Sequence, residues 1–427
     1  MRAPSTGPRP FARSRLGLVL TMCLIGWSAH IADARSLVEG LRSLVSTAGV
    51  TAGAVDLSGV RVVDVVTPLA ERLAVRGIDF PVASTTPGFT YRFNFELATP
   101  ERLTLLGSNL AERADTVGRR RLDLGVFFVR GDLDKVDGED FGTTVAGRVR
   151  APIRVLRQQF FLDERVHVDS FHLLQTVVDM TATYGLTDRW DLNALVPIVL
   201  TEVDARTSVR FEVLDRSREL LGHTHTTREL HEEAYGPGDV LLRSKYRTWE
   251  GDHLWLALGT TLRLPTGNED NLQGVGDVIV TPSIILSRPL GAQDLHANLG
   301  FDANADDAVR SRVRYAIGAS WQPVESAALL VDVLGSSGIA ADRFDVPSRI
   351  ALRLRRGARI ALAGEPVRPT RSGAIPIALA RSDMLDLSVS IKVAVARMSA
   401  FAGVVLPLTN DGLRADLLPT AGFQVTF

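Results

Sequence analysis

Apolar side chains occupy every second position through most of this chain, and that pattern limits its possible folds more than any other feature. In the range 178–186 the apolar residues are Val178, Met180, Ala182, Tyr184 and Leu186. The alternation recurs at 190–196, 313–321 and 385–395. Because successive side chains of a β-strand point to opposite faces, the alternation places one face in an apolar medium and the other in water. The chain is therefore predicted to be all-β.

The length and number of the alternating segments favour an antiparallel up-and-down barrel in a membrane over a soluble sandwich, which would also alternate. A tilted strand crosses a bilayer with about ten residues, and short and long connections alternate along such a barrel. The predicted strands are 120–130, 172–186, 190–200, 238–248, 253–264, 277–288, 293–303, 311–321, 327–337, 384–396, 399–408 and 417–427. A further segment at 89–97 makes fourteen strands the alternative, with a partner at 157–168 or 348–363.

Aromatic residues and connection lengths orient this barrel. The aromatic residues at strand ends predict interfacial girdles; they are Tyr184, Trp190, Trp249, Trp255, Tyr315 and Trp321. Short turns are expected to face the periplasm, and long loops such as 201–237 are expected to face the outside. The terminal Phe427, with apolar residues at every second position before it, resembles the signal that the barrel-assembly machinery binds.

The N-terminus carries a predicted export signal, at residues 1–34. Arginines precede an apolar run at 16–27, and Ala32-Asp33-Ala34 places small residues at a cleavage site. Cys23, the only cysteine, lies in that run. Residues 35–86, with a helix expected at 62–73, form a periplasmic segment or a plug of the lumen, and 87–427 form the barrel. The predicted location is the outer membrane of a Gram-negative bacterium.

Composition and motifs exclude several other classes. The 427 residues carry a formal net charge of -1, which gives no basic surface for nucleic acid. A single cysteine excludes a disulfide framework. The sequence contains no GxSxG, HExxH, P-loop or dinucleotide-binding motif, so we predict neither an enzyme nor a cofactor.

Charged residues on the predicted inner face are the main candidates for function. The basic candidates are Arg243, Lys245, Arg247, Arg263, Arg312 and Arg314, and the acidic ones are Asp179, Asp191, Asp332 and Asp386. Two interpretations remain open. A basic stripe facing acidic residues across an open lumen would select charged solutes, whereas interior ion pairs would fill a narrow barrel.

Two smaller sets of residues have weaker functional interpretations. Asp239 and Asp277 stand at the start of predicted strands and Asp416 precedes the last one, where the three form a carboxylate rim or only begin a strand. His223, His225 and His231 lie in the predicted loop 201–237 and are weak candidates for a surface metal site. The Arg-rich stretch within 340–383 either contacts lipopolysaccharide phosphate or is an ordinary solvated loop.

Several phrases of the sequence resemble the outer-membrane β-barrel family named for a MetA pathway of phenol degradation. They include the runs at 87–94, 112–119, 184–192, 236–240, 262–267 and 407–416. The resemblance covers 87–427 except the Arg-rich stretch, and the family is distantly similar to long-chain fatty acid channels. It implies passive uptake of small hydrophobic or aromatic compounds. A general porin, or a structural or adhesive barrel with a filled lumen, is the alternative.

Overall fold

The computed structural model describes most of the chain beyond the predicted export signal. The described residues are 36–44, 51–52, 55–56, 80–85, 91–94, 99–102, 106, 108–136, 138–140, 147–155, 158–340, 349–354, 359–363, 383–411 and 413–427. The predicted signal at 1–34 and the predicted helix at 62–73 lie outside these residues. The helix that the structure does describe in the N-terminal region is α1, Leu37–Leu44.

Strands make up nearly all of the described chain, as the alternation predicts. In chain order they are β1 (Thr51–Ala52), β2 (Val55–Asp56), β3 (Tyr91–Asn94), β4 (Thr99–Arg102), β5 (Leu122–Asp132), β6 (Lys135–Val136), β7 (Glu139–Asp140), β8 (Gly147–Val155), β9 (Gln158–Thr187), β10 (Trp190–Leu214), β11 (Leu220–Pro237), β12 (Val240–Glu250), β13 (Trp255–Leu264), β14 (Ile279–Leu290), β15 (Gln293–Asn304), β16 (Arg312–Val324), β17 (Ala327–Gly338), β18 (Arg349–Leu354), β19 (Arg359–Ala363), β20 (Asp383–Val395), β21 (Met398–Pro407), β22 (Leu413–Arg414) and β23 (Leu418–Thr426). Two 3-10 turns lie at Glu269–Asn271 and Ala308–Arg310.

Twelve of these strands close into an antiparallel barrel. The ring runs β9, β10, β12, β13, β14, β15, β16, β17, β20, β21, β23 and β5, and it closes because β5 pairs with β9. All twelve lie where the sequence predicts them, so the predicted strand count is confirmed and the fourteen-strand alternative is wrong. We call the end with the two-to-four-residue turns, such as Asp188–Arg189, the turn end and the opposite end the loop end.

Four strands continue beyond the ring at the loop end. β9 is 30 residues long and β10 is 25, far more than a membrane crossing requires. β8 pairs with the first part of β9, and β11 pairs with the last part of β10. The expectation of a loop at 201–237 is therefore wrong: most of that range is β-sheet, because its polar and β-branched residues pair across two long strands.

The other predicted partners also have a different place. The segment predicted at 89–97 contributes β3, which pairs with β4 in a separate two-stranded sheet. The range 157–168 lengthens β9, and β18 and β19, from 348–363, join β1 and β2 in a small sheet. Within the Arg-rich stretch, Arg349 and Arg353 lie on β18 and Arg359 lies on β19, and the structure does not describe 355–358.

The outer face of the ring is apolar. Residues such as Met180, Leu258, Leu299, Ile317 and Ile391 are exposed there. Tyr184, Trp190, Trp249 and Trp321 are exposed near the turn end and Tyr315 nearer the loop end, as the girdle interpretation predicts. Trp255 differs: it is buried, points inward, and its indole N–H donates to the Gly251 carbonyl at 3.0 Å. The position is odd-numbered in β13, and every odd position of that strand faces the lumen.

A cluster of apolar side chains connects α1 to the inner face of the barrel. Leu37, Val38, Leu41 and Leu44 are buried on one side of the helix. They belong to one cluster with inward-facing residues of β5, β9 and β10, which include Phe127, Phe171, Leu173, Val199 and Val203. Burying such side chains is the main stabilising contribution to a core. Within the described residues, no helix has the length and hydropathy needed to cross a membrane.

Candidate functional site in the barrel lumen

A stretch of chain just before β5 fills the turn-end half of the lumen. We call residues 106 and 108–118 the luminal segment; its side chains are buried, apart from a half-buried Glu112. An extended peptide without a strand partner must satisfy its backbone N–H groups in another way. Inward-facing side chains of the barrel accept these bonds. Leu106 N–H donates to Gln322 at 2.8 Å, Glu112 N–H to Asn298 at 2.7 Å, and Ala114 N–H to Ser287 at 2.9 Å.

Glu112 is the most densely contacted side chain of the luminal segment. Its carboxylate lies 3.6 Å from the Arg243 guanidinium and 3.6 Å from the Lys245 ammonium. The same carboxylate accepts hydrogen bonds from Thr85 N–H at 2.7 Å and from the Thr85 and Ser84 hydroxyls at 2.8 and 3.2 Å. Glu112 therefore joins the luminal segment, the residues 80–85 and the wall strand β12.

Further polar contacts hold the luminal segment on both sides of Glu112. Arg113 forms an ion pair with Asp115 at 2.6 Å and a longer one with Asp294 at 3.4 Å. The Ser108 hydroxyl donates to Asp332 at 2.6 Å, and Val117 N–H donates to Asp191 at 2.9 Å. The turn-end half of the lumen is therefore lined by polar side chains that bind the luminal segment.

The loop-end half of the lumen has an apolar lining instead. Val129, Val177, Val199 and Leu241 are buried there, and Phe80 enters from the N-terminal part of the chain. A cavity of about 30 Å³ lies among them, bounded also by Asp179, Asp239 and Arg263. Such a volume holds a water molecule or two but not an aromatic ring. Among the described residues, the luminal segment occupies the turn-end half of the lumen, and Phe80 occupies part of the loop-end half.

The predicted lumen charges divide between the two halves. Arg243, Lys245, Asp191 and Asp332 contact the luminal segment, while Arg247 bonds the Asp188 carbonyl and pairs with Glu250 at 3.3 Å. At the loop end, Arg263 lies 3.8 Å from Asp239, Arg414 lies 2.8 Å from Asp386, and Arg314 pairs with Asp302. Asp179 is buried beside the cavity, and Arg312 is half-buried at the start of β16.

These charges have local partners and do not form two facing walls. Asp191 is the direct cross-strand partner of Lys245, on neighbouring strands of the same wall. Buried ion pairs that also accept hydrogen bonds offset the cost of desolvating both charges. The interior ion-pair interpretation expects such local pairs, and the choice between it and the transverse-field interpretation stays a prediction.

The three rim carboxylates bind loop backbone or a neighbouring cation. Asp239 accepts from the N–H groups of Gly267 and Val275, each at 3.0 Å. Asp277 pairs with Arg310 at 3.0 Å, and Asp416 pairs with Lys135 at 2.5 Å. Asp239 therefore binds loop backbone, whereas Asp277 and Asp416 form ion pairs, and the strand-start interpretation of the three stays a prediction.

The three candidate histidines share one face of β11 but not one site. His223 and His231 are eight residues apart on a strand, which separates them by about 26 Å. They cannot bind one ion together. His231 instead pairs with Asp204 on β10 at 2.6 Å.

The pairing of His231 with Asp204 predicts a measurable titration. The hydrogen bond to Asp204, together with its negative charge, raises the pKa of His231 above 6.5. A raised folded-state pKa means that this interaction is complete below 6.5 and is lost as the pH rises through the folded-state pKa. In Asp204→Asn we expect the pKa of His231 to fall, as followed by NMR of the imidazole in micelles. An unchanged midpoint would contradict the pairing.

The most important lumen residues were missed as site candidates. Glu112, Arg113 and Asp115 lie in a run that the sequence offers only as a family phrase, and nothing in its spacing shows that it enters the barrel. A charged run directly before the first strand of a narrow barrel is the signal that was available. Ser287, Asn298 and Gln322 belong to no recognisable sequence motif, although they accept hydrogen bonds from the backbone of the luminal segment.

The fold and its surfaces define a class. A closed, even-stranded antiparallel barrel with an apolar outer face and aromatic girdles is an outer-membrane protein, which confirms the predicted location. A model of the family described as "Putative MetA-pathway of phenol degradation" matches residues 140–329. This match confirms the resemblance predicted from the sequence, over a shorter range than the expected 87–427.

Several solved structures are similar to this chain at low sequence identity and low TM-score. A Pseudomonas putida F1 outer-membrane channel is 13% identical with a TM-score of 0.42, covering 74% of this chain and 98% of the other. A Pseudomonas aeruginosa FadL homologue is 10% identical with a TM-score of 0.33, covering 72% and 89%. The Pseudomonas putida toluene transporter TodX is 11% identical with a TM-score of 0.24, covering 72% and 87%. No curated protein matches the sequence.

Proposed function

We propose that this protein is an outer-membrane channel for passive uptake of small hydrophobic or aromatic compounds. The observation that carries the proposal is the apolar lining of the loop-end half of the lumen. A barrel that conducts water and ions has a polar interior. Here Phe127, Val129, Phe171, Leu173 and Val177 point inward instead. Such a lining offers an apolar solute a favourable environment on its way from the outside.

The proposed route requires the N-terminal part of the chain to move. Among the described residues, α1 and Phe80 cover the apolar lining, and the luminal segment fills the polar half below it. The luminal segment is held by hydrogen bonds and ion pairs and by buried apolar side chains such as Leu106 and Ala114. Opening exchanges its polar contacts for contacts with water, at a cost that the buried ion pairs of Arg113 make larger than the about 1 kcal/mol of a single hydrogen bond. In this proposal the luminal segment is the part of the plug that opens and closes.

The family match adds the chemical class of the solute. Its description refers to phenol degradation, and a barrel in such a setting would admit phenol-like molecules across a lipopolysaccharide leaflet that hinders them. In this proposal the partners are those solutes, the surrounding outer-membrane lipid and lipopolysaccharide, and the assembly machinery that binds the C-terminal strand ending in Phe427. We propose no catalytic activity and no cofactor.

Uptake by Gram-negative host cells tests the proposal. Cells that express the protein should take up labelled phenol or toluene several-fold faster than cells with an empty vector, and a sugar of similar size should show no gain. Val129→Asp places a charge in the apolar lining and should abolish the gain. Uptake that rises equally for the sugar would instead identify a general porin.

The filled turn-end half of the lumen favours one second candidate, a structural barrel that never opens. If this candidate is right, the protein assembles correctly, judged by heat-modifiable mobility in gels, and changes the uptake of neither the aromatic compound nor the sugar. Val129→Asp would then have no transport phenotype to remove.

A further inference from the structure

Three side chains of the kinds that bind metal ions meet at the loop end of β5 and β9. They are Asp132, Asp134 and His172, and one ligand atom from each lies within 4.8 Å of the other two. The His172 Nδ1 atom is 3.4 Å from an Asp132 carboxylate oxygen. This group lies on the outside of the barrel, away from the lumen and from the channel proposed above.

Backbone pairing places these side chains together. Leu133 N–H donates to the Leu173 carbonyl at 2.8 Å, which extends the β5–β9 pairing by one residue. Leu133 and Leu173 point into the buried core. Because side chains alternate between the two faces of paired strands, the neighbours on either side of Leu133 and the residue before Leu173 must point outward. The position of the cluster is therefore determined by the strands and not by flexible loops.

The chemistry of the three donors is that of a divalent-metal site. In a tetrahedral zinc site with ligands about 2.0–2.1 Å from the metal, neighbouring ligand atoms are about 3.3 Å apart. The observed imidazole–carboxylate separation is already close to that distance. Imidazole favours zinc and related transition metals over calcium or magnesium. Lys135, which interacts electrostatically with Asp134, pairs with Asp416.

We propose that Asp132, Asp134 and His172 form a binding site for a divalent transition-metal ion of the zinc class. The three protein ligands leave at least one coordination position, which faces the surroundings and is filled by water. The site is independent of solute transport, so it stands or falls separately from the proposed function.

The chain offers a matched control in the same strand. His167 lies 3.7 Å from Asp169, with both side chains partly exposed as in the cluster. Among the described residues, no third His, Cys, Asp or Glu completes a group there. If an exposed His–Asp pair sufficed to bind zinc, the two places would behave alike. The proposal requires that they differ.

Zinc binding to the full-length protein without a histidine tag is the test. The protein is purified in detergent, stripped with EDTA, and titrated with Zn²⁺ by calorimetry. We expect one equivalent to bind to the wild type. His172→Ala and Asp134→Asn should each weaken binding at least about tenfold, since loss of even an outer-shell partner of a ligand costs that much. His167→Ala and His223→Ala/His225→Ala should leave the affinity unchanged.

The possible outcomes separate the alternatives. No stoichiometric binding to the wild type would overturn the proposal, and so would a loss of binding in His167→Ala equal to that in His172→Ala. Equal affinity for Zn²⁺ in wild type and His172→Ala would show a carboxylate site without the imidazole and would also overturn it. Heat-modifiable mobility in gels verifies that each variant is folded, and Asp132→Glu, which keeps the carboxylate, should retain binding.

Discussion

Replacing Glu112 and Arg113 together by alanine is expected to convert a closed barrel into a conducting one. The double variant removes the carboxylate between Arg243 and Lys245 and the guanidinium that contacts Asp115 and Asp294. Removing one partner of a buried ion pair costs about 3–5 kcal/mol. Since 1.4 kcal/mol is a tenfold change in an equilibrium constant, the open fraction should rise about 100-fold or more. Single-channel recording in planar bilayers measures the change.

The control for that experiment uses neighbouring residues outside the lumen. Arg119 and Arg120 are exposed at the turn that follows the luminal segment. Arg119→Ala/Arg120→Ala removes two charges from the same part of the chain and should leave the barrel closed. If the Glu112 and Arg113 variant stays closed while it assembles normally, the luminal segment is not the movable part of the plug. An introduced cysteine at Ala114, in a chain with Cys23→Ser, reports the same opening through its labelling rate.

Gly185→Ala is expected to prevent assembly of the barrel or to destabilise it severely. A Cβ atom at Gly185 would lie 1.9 Å from the carbonyl oxygen of Gly118 and 3.2 Å from the Val117 side chain. The contact is with backbone, so no side-chain rotation relieves it. The backbone of Gly185 is also held in place by two hydrogen bonds: Arg120 N–H donates to the Gly185 carbonyl at 2.8 Å, and Gly185 N–H donates to the Arg121 carbonyl at 3.0 Å. Overpacking of this kind costs about 3 kcal/mol or more.

A second glycine in a barrel strand provides the comparison. At Gly300 the nearest atom to an added Cβ is a side-chain methyl of Thr281, at 3.3 Å, which can shift slightly. Gly300→Ala should assemble with nearly wild-type heat stability, measured as the temperature at which gel mobility changes. Equal stability of the two alanine variants would show that the junction between the luminal segment and β9 is loosely packed.

Most of the barrel could be predicted because the alternation depends only on neighbouring residues within one strand. Alternation at 178–186 or 385–395 reports which side chains face lipid, and that demand recurs in every spanning strand. The alternation cannot report where a strand stops being in a membrane. For that reason β9 and β10 continue far past the predicted boundaries, and 201–237 was expected to be a loop. The segment at 89–97 alternates equally well, but only its pairing with β4 shows that it is outside the ring.

The lumen site could be predicted only in part. Arg243, Lys245 and Asp191 are recognisable because they are charged positions on the inward face of a predicted strand. Their partner Glu112 is not, because the contacts join positions more than a hundred residues apart in the sequence. The zinc-type cluster has the same origin: Asp132 and His172 are brought together by pairing of β5 with β9, and no spacing along the chain encodes that register.

The sequence by itself therefore predicted an all-β, twelve-stranded outer-membrane barrel with an apolar exterior and a charged interior. Periodicity along one strand carries that information, since each strand must match lipid on one face. Only the tertiary structure places residues 108–118 in the turn-end half of the lumen. It also decides which interior charges contact that segment and which pair with one another at the loop end. Those contacts depend on closing the ring, which sets the distances between side chains from different strands.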